Sequence, residues 1–435
     1  MPRAAKKTLP EFELEVERLV FGGEGLGHWE GRPVFVFGAL PGERVRVRPV
    51  QARRKFVKAE LLEVVRASRD RLPPREEHYL ACSPWQVMPY ERQLFHKKEV
   101  TVSSWQKIAG ELPSQDVVLV PGPRQLGYRN KLELSFTQDP EGRLTFGFNR
   151  RYRHQQYYSL ERCVLGHDRI NEAAVTVLEV LRGAGVAPEA LKNLVVRSSF
   201  SLEQCLCVLY VTEPGFAPLE PDGADLQGWL VVYSDPRSPA AVVTRVLHRR
   251  GQEHLEEKLG GTTLAYGHDL FFQTNPEAFS LAVSHLRDRI RGGGTLVDLY
   301  AGVGTIGFLL AERFERVIAV EMHERAAEYA RMNQARNATR GVVMITGKAE
   351  ERELRSLMAA GDTLAVDPPR SGLHPKVLQA IEEHTPRQIL YVSCNPTTQA
   401  RDWARLKHLY AVADWTLFDF YPQTPHVESV LILER

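Results

Sequence analysis

The chain reads as an α/β protein: a doubly wound carboxyl-terminal domain, a small β-barrel at the amino end, and a mixed α/β region between them. Three observations carry this. Short apolar runs lead into Asp298, Glu321, Asp367 and Cys394, the pattern of buried strands that end in polar residues. From about residue 262 such runs alternate with helical stretches, one opening near Thr305 and another near Glu324. Residues 11 to 66 instead carry several short alternating strands at regular spacing, which suits a small barrel.

The 435 residues suffice for two or three domains with a sizeable core. Hydrophobic residues at 43% and charged residues at 25% mark an ordinary soluble composition rather than a disordered or membrane one. The start, Met-Pro-Arg-Ala-Ala-Lys-Lys, has no apolar signal core, and no stretch approaches about 18 apolar residues, so neither secretion nor a membrane span is expected. Five cysteines (82, 163, 205, 207 and 394) are too scattered for a disulfide framework, which fits a reducing cytoplasm. The net charge of +2 hides an asymmetry: residues 1 to 75 hold 16 Lys or Arg against 10 Asp or Glu. A basic amino-terminal region suggests a polyanionic partner, with a merely solvated surface as the plain alternative.

In chain order, Phe12, Leu14 and Val16 alternate with glutamates as in a half-buried strand. The glycine cluster Gly22 to Gly27, the apolar run Pro33 to Phe37, the turn Leu40 to Glu43 and the alternating Arg44 to Val50 complete the barrel. Arg44, Arg46 and Arg48 fall on one face, extended by Arg53, Arg54 and Lys55, and a one-sided row of this kind suits nucleic-acid phosphates. Residues 67 to 77, charged and proline-containing, read as a linker, and Tyr90 to about Ile108 as a helix. Tyr128 to Phe136 and Leu144 to Phe148 read as paired strands around Asp139 to Gly142. Arg150 to Tyr158 interleaves cations with aromatics, a pattern for backbone contact plus base stacking or for an exposed loop. Cys205 and Cys207 share a strand face and read as core.

Asp298 leads into Gly302-Val-Gly304 at a helix start, where a glycine at 304 allows a cofactor to approach the backbone closely. With Gly307 the spacing also satisfies Gly-x-Gly-x-x-Gly, so the turn alone leaves a dinucleotide open. Glu321, at the next strand end, suits ribose hydroxyls and points to an adenosine-containing cofactor. Cys394 follows a strand and is stopped by Asn395-Pro396; alone it reads equally as a small buried hydrophobe.

Together, Asp367-Pro-Pro-Arg370, Ser393-Cys394-Asn-Pro-Thr-Thr with Ala400-Arg401-Asp402, and Pro422-Gln-Thr-Pro-His426-Val-Glu428 resemble the S-adenosylmethionine-dependent RNA uracil-5 methyltransferases. The likeness spans nearly the whole chain, including Glu24 to Gly27 and Gly38 to Glu43 at the start, Tyr128 to Lys131, Gly147-Phe148, and Phe272-Gln273-Thr-Asn275. It implies a Rossmann-like class I methyltransferase domain over 256–435, an OB-like TRAM barrel over 1–67, and a linker and central α+β domain over 68–255. Residues 92–123 are expected to pack with the catalytic domain. It further implies that Gln273, Tyr300, Glu321 and Asp367 contact the cofactor, with Asp298, Gly302 and Gly304 shaping its turn.

The residue chemistry agrees. Uracil C5 is a poor nucleophile until a thiolate adds at C6, which is the part Cys394 would play. The C5 proton must then go to a base, the part of Glu428, and the uracil must be flipped out of its stack. The implied partner is RNA, large-subunit ribosomal (23S) rather than transfer RNA by analogy with the barrel, for a cytoplasmic monomer with no membrane association and no metal ligands. Relatives with an iron–sulfur cluster hold it on four cysteines; here Cys82 and Cys163 match two positions, while Met88 and Glu91 stand at the others. Two thiolates do not make such a site, so no cluster is expected. Lys348 also stands where the family usually has Asp or Asn near the adenine. Two rival readings remain: methylation of another RNA position, which would not need Cys394 if the target were nitrogen, and a non-catalytic RNA-binding assembly factor.

Overall fold

The computed structural model describes residues 9–114, 116–153, 156–238, 241–351, 357–358 and 362–435; the start Met1 to Lys7, and His154 and Gln155 of the basic loop, lie outside them. The chain divides into two compact units. One is Met1–Ser104 with Phe148–Tyr158 and Tyr421–His426; the other is Trp105–Gly147 with Ser159–Phe420 and Val427–Arg435. No helix among the described residues is long and apolar enough to cross a membrane.

In the first unit the strands Phe12–Glu15, Arg18–Leu19, Glu24–Trp29, Arg32–Phe37, Arg44–Ala52 and Val57–Arg66 form one six-stranded sheet. Alternation builds it: Leu14, Val16, Val34, Val36, Val45, Val47 and Val57 turn inward into a single apolar cluster. At Gly27 a Cβ would lie 2.2 Å from the Glu15 carbonyl oxygen, so only glycine lets the chain pass there. The stretch read as a linker is irregular but anchored, because Arg71 Nη2 donates at 2.8 Å to the fully buried Glu43 and at 2.8 Å to the Gly38 carbonyl.

Arg44, Arg46 and Arg48 do share an exposed face, but they are not free positive charge. Antiparallel pairing sets Glu15 opposite Arg44 and Glu13 opposite Arg46. Arg44 donates to Glu13, Arg46 to Glu63 and Arg48 to Glu11, each at 2.8 Å. Glutamates on and beside the neighbouring strands therefore compete with phosphate for this row. Exposed pairs of this kind contribute only about 0–1 kcal/mol each, so they neutralise the face more than they brace it. The loop cations are engaged as well, Arg151 lying 3.6 Å over the Phe37 ring and Arg153 donating to Glu60 at 2.7 Å.

Arg53, Arg54 and Lys55, by contrast, are exposed and have no ion pair among the described residues. Alanine at these three should lower the salt slope of single-stranded RNA binding by up to about 2, since each lost phosphate contact removes about 0.7. Alanine at Arg44, Arg46 and Arg48 should lower it by less than about 1. Equal slopes in the two triple variants, measured by filter binding across a salt series, would contradict the assignment.

The helix Tyr90–Ala109 forms where its pattern placed it. Its buried Gln93 exchanges two hydrogen bonds with Gln423, Nε2 donating to Oε1 and the Gln423 N–H to Gln93 Oε1, both at 2.8 Å.

The second unit holds two larger sheets. The central one runs in the order Tyr157–Leu160, Leu144–Asn149, Lys131–Gln138, Leu191–Ser198, Cys205–Val211, Gly228–Tyr233, Arg245–Gly251, its first two strands reaching partly into segment 148–158. Helix Asp168–Gly183 turns Ile170, Ala173, Ala174, Val177, Leu178 and Leu181 to the core, the helical stripe that packs on a sheet. Cys205 and Cys207 are both buried there.

The other sheet has eight strands in the order Val342–Thr346, Arg316–Glu321, Thr295–Leu299, Thr363–Val366, Gln388–Ser393, Glu428–Glu434, Ala411–Phe418, Val118–Val120. The first five are parallel, and Glu428–Glu434 runs antiparallel to both its neighbours. Val118–Val120 joins the edge beside Thr416, and Trp105 packs its ring 4.8 Å from that of Trp415. Strand order reverses between Thr295–Leu299 and Thr363–Val366, from which the chain proceeds outward on either side. Open α/β sheets bind ligands at such a switch point, beyond the carboxyl ends of the strands.

Candidate active site

At the switch point the strand Thr295–Leu299 runs into a strained turn. Tyr300, Gly302 and Gly304 have φ of 64°, 57° and 87°. The left-handed conformation costs a tyrosine roughly 1–2 kcal/mol, a strain typical of ligand-binding loops. Asp298 holds the following helix by accepting the Gly307 N–H at 2.8 Å. A Cβ at Gly304 would lie 2.1 Å from the Phe308 ring, whereas one at Gly302 would meet nothing within 4 Å. Gly304 thus makes room for Phe308, while Gly302 lines the adjacent slot.

That slot, a cavity of about 30 Å³, is lined by Phe271, Gln273, Asp298, Tyr300, Gly302 and Asp367 among others. Tyr300 also lines a cleft of about 600 Å³ together with Met322, Glu350, Leu373, His374 and Arg401. The cleft is within the usual size range of small-molecule sites. Glu321 ends its strand beside the turn, its carboxylate oriented by the Gly302 N–H at 2.9 Å and the His323 N–H at 2.8 Å. Two such bonds leave a carboxylate with acceptor sites to spare. Gln273 Nε2 donates to Asp367 Oδ2 at 3.3 Å. Lys348 is exposed and does not line the cleft; Glu350, two residues on, does.

Burial pushes the Asp298 carboxyl up to about 7, with the charges of Asp367 and Glu321 adding to it. Burial also raises Asp367 to about 7, against the hydrogen bond from Gln273. For Asp298 the sign is clear: between roughly pH 4 and 7 the native state keeps a proton that the unfolded chain has released. Stability should fall as pH rises through this window, by up to about 1.4 kcal/mol per pH unit. Asp298→Asn should flatten that dependence while its amide oxygen still accepts from Gly307. Thermal melts from pH 5 to 8 with parallel slopes in both proteins would contradict this.

Cys394 stands one residue beyond the strand Gln388–Ser393, half-buried. Asn395 caps the next helix, Pro396–Leu406, accepting the Thr397 N–H at 3.2 Å, and donates Nδ2 to the Arg370 carbonyl at 2.8 Å. Buried Asp402 accepts the Leu373 N–H and the Tyr391 hydroxyl, each at 2.8 Å. The residues around the cysteine thus tie the segment after Asp367 to the strand that carries the thiol.

Glu428 is buried and opens the antiparallel neighbour of that strand. The register pairs Ser393 with Ser429, which makes Cys394 and Glu428 the next opposed positions. Burial, then the charges of Glu428 and Asp367, push the thiol up to about 11; Arg370 opposes them by charge and hydrogen bond. Burial and Asp367 likewise hold Glu428 well above the usual carboxylate range, again against Arg370. Strongly shifted groups acting on one another are a mark of functional sites.

Every residue expected at the site lies in the second unit: Gln273, Asp298, Tyr300, Gly302, Gly304, Glu321, Asp367, Cys394 and Glu428. Arg370, the cation acting on both the thiol and Glu428, is not among the residues the sequence assigns to the site, although an arginine just past a strand-end acid, as in Asp367-Pro-Pro-Arg370, is a readable signal. Met322 and Glu350 were also missed, because cleft lining depends on loops that carry no periodic signal. Met88, at one absent cluster position, is buried with Trp85, Val87, Leu19 and Leu40 in the first unit, and Glu91 is exposed in the first turn of its helix. Cys82 Sγ lies 3.0 Å from the Ser83 hydroxyl, and Cys163 is buried.

A switch point in a parallel sheet, a glycine turn and a strand-end carboxylate bonded to that turn are features of a class I nucleotide-cofactor fold. The family model described as tRNA (Uracil-5-)-methyltransferase matches residues 266–435, and that of the TRAM domain matches 10–62. An uncharacterized RNA methyltransferase of Nitratidesulfovibrio vulgaris is 31% identical, covering 97% of this chain and 96% of its own. One from Caldanaerobacter subterraneus is 30% identical over 97% and 98%. The crystal structure of Pyrococcus abyssi tRNA (uracil-54, C5)-methyltransferase in complex with S-adenosyl-L-homocysteine superposes with a TM-score of 0.79 at 26% identity, covering 97% of this chain and all of that one. The chain belongs to the S-adenosylmethionine-dependent RNA uracil-5 methyltransferase family.

Proposed function

We propose that this enzyme methylates C5 of a specific uridine in RNA through a covalent bond between Cys394 and C6 of the base. The observation that carries the reading is that Cys394, one residue past its strand, and Glu428, which opens the antiparallel neighbour, follow the Ser393–Ser429 pair and both feel Arg370. The slot and cleft fit the cofactor: Glu321 retains acceptors for a ribose diol, Gly302 leaves open space at the turn, and Tyr300 borders both cavities. Gln273 and Asp367 would hold its amino-acid end and Met322 and Glu350 would border its base. S-adenosylmethionine supplies the methyl group.

With its pKa near 11 the Cys394 thiol rests protonated, and Arg370 favours the thiolate as it forms. The thiolate adds to C6, the C5–C6 π pair moves onto C5 and O4, and the thiol proton leaves to solvent. After C5 has gained its methyl group, the carboxylate form of Glu428 removes the C5 proton. The C5–C6 double bond re-forms and the sulfur departs. A raised pKa makes that carboxylate a stronger base toward carbon than an ordinary glutamate.

We infer that the substrate is 23S ribosomal RNA or transfer RNA, the barrel being unable to discriminate because the match to the Pyrococcus transfer RNA enzyme covers 97% of this chain; that match favours transfer RNA. No observation favours methylation of another RNA position or a role without catalysis. The test is to incubate purified enzyme and labelled cofactor with total RNA from a strain lacking it. Label in 5-methyluridine of one RNA supports the reading and names the target. Label in another nucleoside, or none, defeats it.

A further inference from the structure

We propose that Asn130 and Arg197, both from the central sheet region, are positioning residues for Gln273, and that the central domain thereby forms part of the cofactor site. The inference rests on the reading of the slot as that site. Leu270 to Asn275, which brings Phe271 and Gln273 to the slot, has no helix or strand of its own. Its backbone carbonyls therefore need partners from elsewhere, or they are buried unsatisfied.

Those partners come from Asn130, which immediately precedes the strand Lys131–Gln138, and from Arg197 on the strand Leu191–Ser198. Asn130, 3% exposed, donates its side-chain Nδ2 to the Gln273 carbonyl at 2.9 Å and its backbone N–H to the Thr274 carbonyl at 3.0 Å. Its own carbonyl accepts the Ser198 N–H at 2.9 Å, which ties it to the strand Leu191–Ser198. Arg197, on that strand, donates Nη2 to the Leu270 carbonyl at 2.5 Å. Its guanidinium also lies 5.8 Å from the centre of Tyr266, whose ring stacks on Phe272 at 4.0 Å and 5°. The segment is thus held on both sides of Gln273, whose side chain is left to reach Asp367.

A helix or strand would fix a glutamine by its own hydrogen bonds; this one is fixed from outside. Neither Asn130 nor Arg197 lines the slot, so each acts through the segment rather than on a ligand. This also assigns work to Asn130 in the Tyr-Arg-Asn-Lys stretch that RNA binding does not require.

The test is calorimetric, with S-adenosylmethionine and no RNA. Asn130→Leu removes the donor and leaves the Gln273 carbonyl buried without it, so the dissociation constant should rise about tenfold or more. Arg197→Met frees the other side of the segment and should act in the same direction, which guards against one variant failing to fold. Affinity for RNA should stay within about twofold, which a general structural lesion would not spare. In a double-mutant cycle with Gln273→Ala, Asn130→Leu should add less than about twofold, since both act through one contact. Unchanged cofactor affinity in both variants, or multiplicative effects in the cycle, would overturn the proposal. If the unmutated protein binds no S-adenosylmethionine, the reading of the slot falls and this inference falls with it.

Discussion

Cys394→Ala is expected to lower turnover by a factor on the order of 10⁴ or more and to form no covalent complex with RNA. Glu428→Gln should fail differently. The glutamine keeps the shape of the buried side chain but cannot take the C5 proton, so addition and methyl transfer proceed and the enzyme stalls with methylated RNA on Cys394. That species would migrate as a shifted band on a denaturing gel and carry label from the cofactor methyl group. Normal turnover by Glu428→Gln would mean another base. His426 is the nearest candidate in the chain, but its ring lies against Tyr421, with ring centres 6.0 Å apart.

The second large effect separates the two glycines of the turn. Gly302→Ala adds a methyl group where the slot is open, so the fold should survive with a modest left-handed strain of roughly 1 kcal/mol. Affinity for S-adenosylmethionine should fall at least about 100-fold, because even a small overlap in a packed cavity has no room to relax. Gly304→Ala instead drives a Cβ into Phe308 and should lower the melting temperature by several degrees, roughly what 1–3 kcal/mol of overpacking produces. Calorimetry and thermal melts on both variants decide it. Cofactor affinity retained by Gly302→Ala and lost by Gly304→Ala with no change in stability would reverse the assignment.

The parts of this molecule that were legible in the sequence are those governed by local rules. Asp298, Glu321, Asp367 and Cys394 each follow a short apolar run, and a buried parallel strand leaves little else for such a run to be. Their convergence follows from parallel strands in one sheet, whose carboxyl ends share an edge. What was not legible depends on partners distant in the chain. The arginine row of the barrel reads as a phosphate face only until register brings Glu13 and Glu15 across from it, and Glu63 is contributed by a third strand. The glycine turn was found, yet which glycine borders the slot depends on where the Phe308 ring lies. Arg370 was visible as a residue but not as a charge beside the thiol. Asn130 stood in a recognisable stretch, but its bond to Gln273 spans 143 residues.

The central claim, that Cys394 bonds to the target base opposite Glu428, has a direct test. RNA carrying 5-fluorouridine at the mapped position should trap the unmutated enzyme with cofactor, because fluorine at C5 does not leave as a proton. Proteolysis and mass spectrometry of the trapped complex should find the nucleotide, with one added methyl group, on the peptide containing Cys394. Attachment to a different residue, or methylated RNA released with no adduct at all, would contradict the account.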